Sequence, residues 1–263
     1  MKPIAGIEAD RAGKIEYILT DIDDTLTSDG ILPASAYAAL EDLKKSGRRV
    51  APITGRPAGW CDHIARMWPV DAVVGENGAF YFHYDRANRK MLRRFWKTAD
   101  ERREDRGKLE RIRDEILEKV PGCAVAADQA YREADLAIDF REDVAPLEFD
   151  DVLRIVEIFE EHGAKAKISS IHVNGWFGDY DKLAMTDKMF AELFGEDLEK
   201  IKDRVLFAGD SPNDEPMFRY FPESAGVANV ADFAGVLKAE PTWIASTRGG
   251  DGFAEIAGAL LRK

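Results

Sequence analysis

The chain has 263 residues, 45% of them hydrophobic and 33% charged, with 37 Lys and Arg against 49 Asp and Glu. That length allows one large domain or two modest ones with a real core, and the composition excludes disordered and collagen-like classes. A net charge of −12 and a pI near 4.9 argue against nucleic acid or an anionic membrane as the main partner, so a small anionic ligand needs locally placed cations. In chain order, KIEYILTD reads as a buried strand ending at a carboxylate cluster. ASAYAALEDLKKSG has helical spacing closed by Gly47, and RRVAPITG follows as a second strand, the pattern of a parallel sheet. A helix near Ala58–Trp68 leads to DAVVGENGAFYFHY, two short strands around a turn at 75–78.

From Lys97 to Lys119 eight acidic and eight basic residues cover one solvated helix face, with Leu109, Ile112, Ile116, Leu117 and Val120 at helical spacing beneath them. VPGCAVAADQ and EADLAIDF read as strands, FDDVLRIVEIFEEHG as an amphipathic helix, and GAKAKISSIHVNGWF as one or two further strands. DKLAMTDKMFAELFG is then a helix, RVLFAGD a strand ending in Asp210, and GDGFAEIAGALLRK a closing helix. The expected fold class is α/β: a Rossmann-like parallel-sheet core formed by 1–85 and 180–263, interrupted by an inserted α+β domain at 86–179. Cys61 and Cys123 form no CxxC pair, the four histidines show no zinc-ligand spacing, and no apolar run has signal-peptide or membrane-spanning length. A soluble cytoplasmic protein is expected.

Three polar constellations cap the apolar strands. TDIDDTLT, at 20–27, puts three carboxylates within four residues at the end of the first strand, crowding that costs free energy unless a cation offsets it. In open α/β sheets that edge is where ligands bind. Thr54-Gly55-Arg56 offers a hydroxyl and a backbone amide for a phosphoryl oxygen, and Asp210-Ser211-Pro212-Asn213-Asp214 adds two more carboxylates. Oxygens from Asp21 and Asp210, with a backbone carbonyl and waters, suit Mg²⁺.

These motifs, in this order, resemble those of the haloacid dehalogenase superfamily: Asp21-Ile22-Asp23-Asp24-Thr25 its DxDxT motif, Thr54-Gly55-Arg56 its second and Gly209–Asp214 its fourth. The inserted domain is similar to the C2B-type cap of the Cof-type, sucrose-phosphate phosphatase-like subgroup. Asn77-Gly78, Gly226-Val227-Ala228 and Gly250-Asp251-Gly252 look like shorter signatures of that subgroup. The resemblance implies a Mg²⁺-dependent phosphomonoester hydrolase acting on a small phosphorylated metabolite, a sugar phosphate or phosphoglycosyl compound. Asp21 would be the nucleophile and Asp23 the general acid and base, with Mg²⁺ held by Asp21, the Asp23 carbonyl, Asp210 and, through water, Asp214. Thr54, Gly55, Asn213 and a lysine would surround the phosphate. Lys182 fits that lysine better than Lys188, because Met185, Met189 and Leu193 then fall on one buried stripe. A phosphomutase, or a non-catalytic relative that binds Mg²⁺ or ligand, carries the same motifs.

Substrate choice in this subgroup resides in the cap. Ser170, His172 and Asn174 alternate along one strand and share a face, and Arg132 in a turn is a candidate anion contact. Arg56 is a further cation available to substrate. Trp176 and Phe177 are expected in the core.

Overall fold

A computed structural model describes residues 1–169 and 171–262. The chain opens with β1 (Lys2–Pro3), α1 (Ala9–Lys14), β2 (Tyr17–Thr20), α2 (Ala34–Lys45), β3 (Arg49–Pro52) and α3 (Ala58–Met67). A small antiparallel sheet of β4 (Val73–Gly75), β5 (Phe80–Asp85) and β6 (Lys90–Phe95) follows. Next come α4 (Ala99–Lys119), β7 (Ala124–Val125), β8 (Leu136–Asp139), α5 (Phe149–Glu161), β9 (Lys165–Ile168) and β10 (His172–Trp176). The chain ends with α6 (Lys182–Met189), α7 (Leu198–Ile201), β11 (Val205–Gly209), α8 (Glu215–Tyr220), β12 (Glu223–Gly226), β13 (Trp243–Ile244) and α9 (Gly249–Leu261).

The central sheet is parallel throughout, in the order β1-β13-β12-β11-β2-β3. Both β2 and β11 are buried along their whole length, as expected of strands covered on two faces. Successive residues alternate between those faces. Ile18 joins Leu40, Leu43, Ile256 and Leu260 beneath α2 and α9, while Leu19 joins Met185, Met189, Phe190 and Met217 beneath α6 and α8. Each such fully buried side chain contributes roughly 1.5–3 kcal/mol. The chain leaves β2 toward β3 on one side and returns through β11 on the other, which opens a crevice at the carboxyl ends of β2 and β11.

A second sheet, antiparallel in the order β7-β8-β10-β9, carries α4 and α5 on one face. Val173 and Ile138 point into that apolar layer with Ile112, Ile116, Ile155 and Phe159. Its other face, with His172 and Asn174, looks toward the crevice of the parallel sheet. The expected boundary at 86 falls inside the β5–β6 hairpin, whose paired residues run from Phe80↔Phe95 to Asp85↔Lys90. Phe95 packs edge-on against Phe80 and Phe82, both in the first core cluster. We therefore place the start of the inserted unit after Phe95. Trp176 is buried in that same core and stacks on Tyr180, while Phe177 lines the apolar layer under α4 and α5. No helix among the described residues is long and apolar enough to cross a membrane.

Candidate active site

Asp21 immediately follows β2, and its amide donates to Ala208 O of β11 at 2.9 Å, so the strand ladder itself fixes the residue. The Ile22 carbonyl then accepts the amides of Leu26 and Thr27, folding TDIDDTLT into a tight turn with Asp24 at φ +57°. Lys182 is the first residue of α6, whose N-terminus is capped by Asp181 accepting from Ala184 N at 2.8 Å. The start of α6 lies directly against Gly78. A β-carbon there would sit 2.0 Å from the Asp181 carbonyl oxygen, and φ is +107°, so glycine is required.

From that anchor Lys182 Nζ donates to Asp21 Oδ1 at 2.7 Å and to Asp214 Oδ1 at 2.9 Å. Lys188 instead pairs with Glu192 at 3.1 Å, one turn away on the helix surface. Asp214 Oδ2 accepts the Asp210 amide at 3.1 Å, and Asp210 Oδ1 accepts the Thr25 hydroxyl at 3.3 Å. Oxygens of Asp21, Asp210 and Asp214 all lie within 4.8 Å of one another, and all three residues are buried.

The electrostatics are those of a site short of positive charge. Burial pushes the Asp21 carboxyl up, to about 8; Lys182 pulls it down, and Asp214 and Asp23 push it up further. Burial also raises Asp210 well above the carboxylate range, with Asp214 and Asp21 adding to it. For Lys182, burial disfavours the ammonium, but Asp21 and Asp214 outweigh that and raise its pKa. One ammonium faces three buried carboxylates, all hard oxygen donors, a set that fits a divalent cation such as Mg²⁺.

Asp23 stands apart from this triad. Arg56 Nε donates to its two oxygens at 2.9 and 3.0 Å, and Arg56 Nη2 lies 2.7 Å from Asp23 Oδ1. Arg56 is therefore not the open cation its sequence position suggested; its guanidinium also contacts Glu142 at 3.4 Å and lies over the Trp60 ring. Thr54 is fully buried, its hydroxyl oxygen accepting the Arg56 amide at 3.0 Å. Gly55, Asn77, Ser211 and Asn213 line a small pocket of about 20 Å³ with Asp21 and Asp23, closed by Ser169, Ile171, His172 and Asn174 of the inserted unit. Ser170 lies outside the described residues.

The expectation for Arg132 requires correction. It lines the pocket, but its side chain is 1% exposed and held by Asp128 at 2.8 Å and Asp135 at 3.1 Å, with a third bond to Gly55 O at 3.0 Å. It is a strut between the inserted unit and the Thr54-Gly55 loop, its charge already neutralised. Sequence reasoning missed its companion, Glu76. This fully buried carboxylate, at φ +44°, accepts the amides of Ala58, Glu133, Ala134 and Asp135 at 2.6–3.2 Å. The available signal was a lone acidic residue inside the apolar stretch VVGENGAFYF.

Residues 18–102 match the family described as haloacid dehalogenase-like hydrolase. With the motifs above, this match over the first part of the chain bears out the resemblance read from its sequence. Among solved structures, one from Thermoplasma acidophilum is 19% identical with a TM-score of 0.71, covering 94% of this chain and 98% of its own. The sucrose-phosphatase of Synechocystis, solved with sucrose and phosphate, is 15% identical with a TM-score of 0.64 over 93% of this chain and 97% of its own. A sugar phosphatase of HAD subclass IIB is 14% identical with a TM-score of 0.63, covering 93% and 97%. At these identities the likeness is one of fold. No curated protein sequence matches the chain.

Proposed function

We propose that the protein is a Mg²⁺-dependent phosphatase that cleaves a small phosphorylated metabolite, a sugar phosphate, through an aspartyl-phosphate on Asp21. The observation that carries this reading is Asp21 at the end of β2, bonded to Lys182 and within 4.8 Å of Asp210 and Asp214, beneath a polar pocket roofed by the inserted unit. Phosphatases of similar fold support it.

In this mechanism Asp21, anchored by the strand ladder, attacks phosphorus with the oxygen that Lys182 does not hold. Lys182 orients the nucleophile and offsets charge on the reacting phosphoryl group. The Gly55 amide and Asn213 side chain bind its oxygens. Asp23, placed by Arg56, protonates the departing alkoxide and later takes a proton from the water that opens the aspartyl-phosphate, a role worth roughly 10²–10⁴-fold. A bound Mg²⁺, held by Asp21, the Asp23 carbonyl and Asp210, with Asp214 behind them, would neutralise charge between the anionic nucleophile and the anionic ester. Asp128, Arg132 and Glu76 keep the roof seated over the loop that meets the phosphate.

Purified protein should release phosphate from an aryl phosphate in Mg²⁺, and Asp21→Asn should lower kcat by at least about a thousandfold, the scale of losing a covalent nucleophile. Full activity in Asp21→Asn would overturn the reading.

A further inference from the structure

The inner pocket has an unusual charge balance. Its lining holds two cations, Arg56 and Arg132, and among the described residues each is already neutralised by two carboxylates. Arg56 is shared between Asp23 and Glu142, with Asp128 at 3.9 Å, and Arg132 between Asp128 and Asp135. Glu142, carried by the loop after β8, brings the extra negative charge from the inserted unit. The His172 ring and the Arg56 guanidinium hold it ionised, down to about 2, against the opposing effect of burial. The adjoining outer cleft, about 820 Å³, shares Ser169 and Ser211 with the inner pocket and sets Asp24, Asp29, Asp210 and Asp232 against Arg141 and Arg248. Arg248 is itself paired with Asp232.

A second observation sits beside Glu142. His172 is 2% exposed and lines the inner pocket, and its Nε2 is 2.9 Å from Glu142 Oε2. The two are in ion-pair contact, yet this buried nitrogen makes no well-formed hydrogen bond among the described residues. Leaving a buried polar atom unpaired costs roughly 1–3 kcal/mol. A hydroxyl group arriving beside the pair, from the pocket side, can donate to Glu142 and accept from the imidazole. A carboxylate or a second phosphate can only accept, and it would face Glu142 as a like charge.

Resting on the phosphatase reading, we infer that Glu142 is a specificity-determining residue that restricts the leaving group to neutral, polyhydroxylated alcohols and rejects phosphoesters bearing a second anion. The inner pocket is too small for a whole sugar. It receives the carbon next to the ester and its nearest hydroxyl, and the remainder extends past Ser169 and Ser211 into the outer cleft.

The test compares matched esters: glycerol 3-phosphate with 3-phosphoglycerate, and glucose 6-phosphate with 6-phosphogluconate. Wild-type protein should favour the neutral member of each pair in kcat/KM by at least about tenfold, because a like charge brought close in a partly desolvated site is strongly disfavoured. Glu142→Gln, which keeps the shape and removes the charge, should bring the preference below about threefold, mainly by lowering KM for the anionic member. His172→Asn should instead raise KM for the neutral member. A wild-type preference for 3-phosphoglycerate, or an unchanged ratio in folded Glu142→Gln, would overturn the inference while leaving the phosphatase reading intact. Failure to release phosphate from any ester, aryl phosphate included, would overturn both. A wild-type ratio near one, or one favouring the anionic member, overturns the inference even if a variant fails to fold.

Discussion

Two clusters in this molecule bury several carboxylates around a single cation, and they end differently. At the end of β2, Asp21, Asp210 and Asp214 surround Lys182; at the junction with the inserted unit, Glu76, Asp128 and Asp135 surround Arg132. Burial pushes both Asp21 and Glu76 up to about 8. In the second cluster protein donors meet the excess charge: four backbone amides converge on Glu76, Arg132 meets both aspartates, and Asn174 donates to Asp135 at 3.0 Å. In the first, the second oxygen of Asp21 has no donor among the described residues, and its neighbours add repulsion. A buried acid whose oxygens are all satisfied by the chain is a clasp. One whose oxygens converge on a gap is a site awaiting something from outside.

The largest effect that separates the clusters is kinetic. Lys182→Met, assayed in saturating Mg²⁺, should lower kcat by about 10²–10³, the loss expected when one preorganised cation is removed from a developing anion. Lys188→Met, which touches only the Glu192 pair on the helix surface, should change turnover less than twofold. Equal effects from the two lysines would dissolve the distinction drawn here.

The next effect is on stability. Glu76→Ala strands buried amides of Ala58, Glu133, Ala134 and Asp135 and should cost about 3 kcal/mol by urea unfolding, with Glu76→Gln intermediate. A Glu76→Ala protein as stable as wild type would show that the clasp is ornamental.

The two clusters were not equally legible in the sequence. Asp21, Asp210 and Asp214 are announced locally, because each follows an apolar strand and the parallel sheet brings those strand ends together. The Lys182 register was readable from the apolar spacing of Met185, Met189 and Leu193. The clasp has no such local signature. Glu76 finds three of its four donors nearly sixty residues away, at backbone amides whose convergence depends on how the 132–135 turn docks. Arg132 looked like an open cation for the same reason, since Asp128 and Asp135 flank it in sequence but nothing there reveals that both turn inward. The boundary near 86 was misplaced because the polar turn at Asp85–Arg89 resembles a linker, whereas Phe95 reaches back to Phe80 and Phe82.

The smallest effect has an unusual sign. Asp210→Asn removes one of three mutually repelling buried carboxylates, so without metal the variant should be more stable than wild type by about 1 kcal/mol, while losing the stabilisation that Mg²⁺ confers. The pH dependence follows the same logic. The Asp21 carboxyl titrates near 3.8 when unfolded and near 8 in the folded, metal-free protein, so between those values the folded state holds more protons. Its contribution to stability is therefore complete below pH 4 and is lost as pH rises through 8. Glu76, shifted from 4.5 to about 8, acts in the same direction. Urea midpoints in EDTA should thus fall from pH 5 to pH 8.5, and Mg²⁺ should flatten the part of that decline that Asp21 causes, because a bound cation favours the ionised carboxylate. The part due to Glu76 should persist in Mg²⁺, since its donors belong to the chain. If Mg²⁺ removed the whole slope, or none of it, the division between a site that needs a cation and a clasp that does not would be wrong.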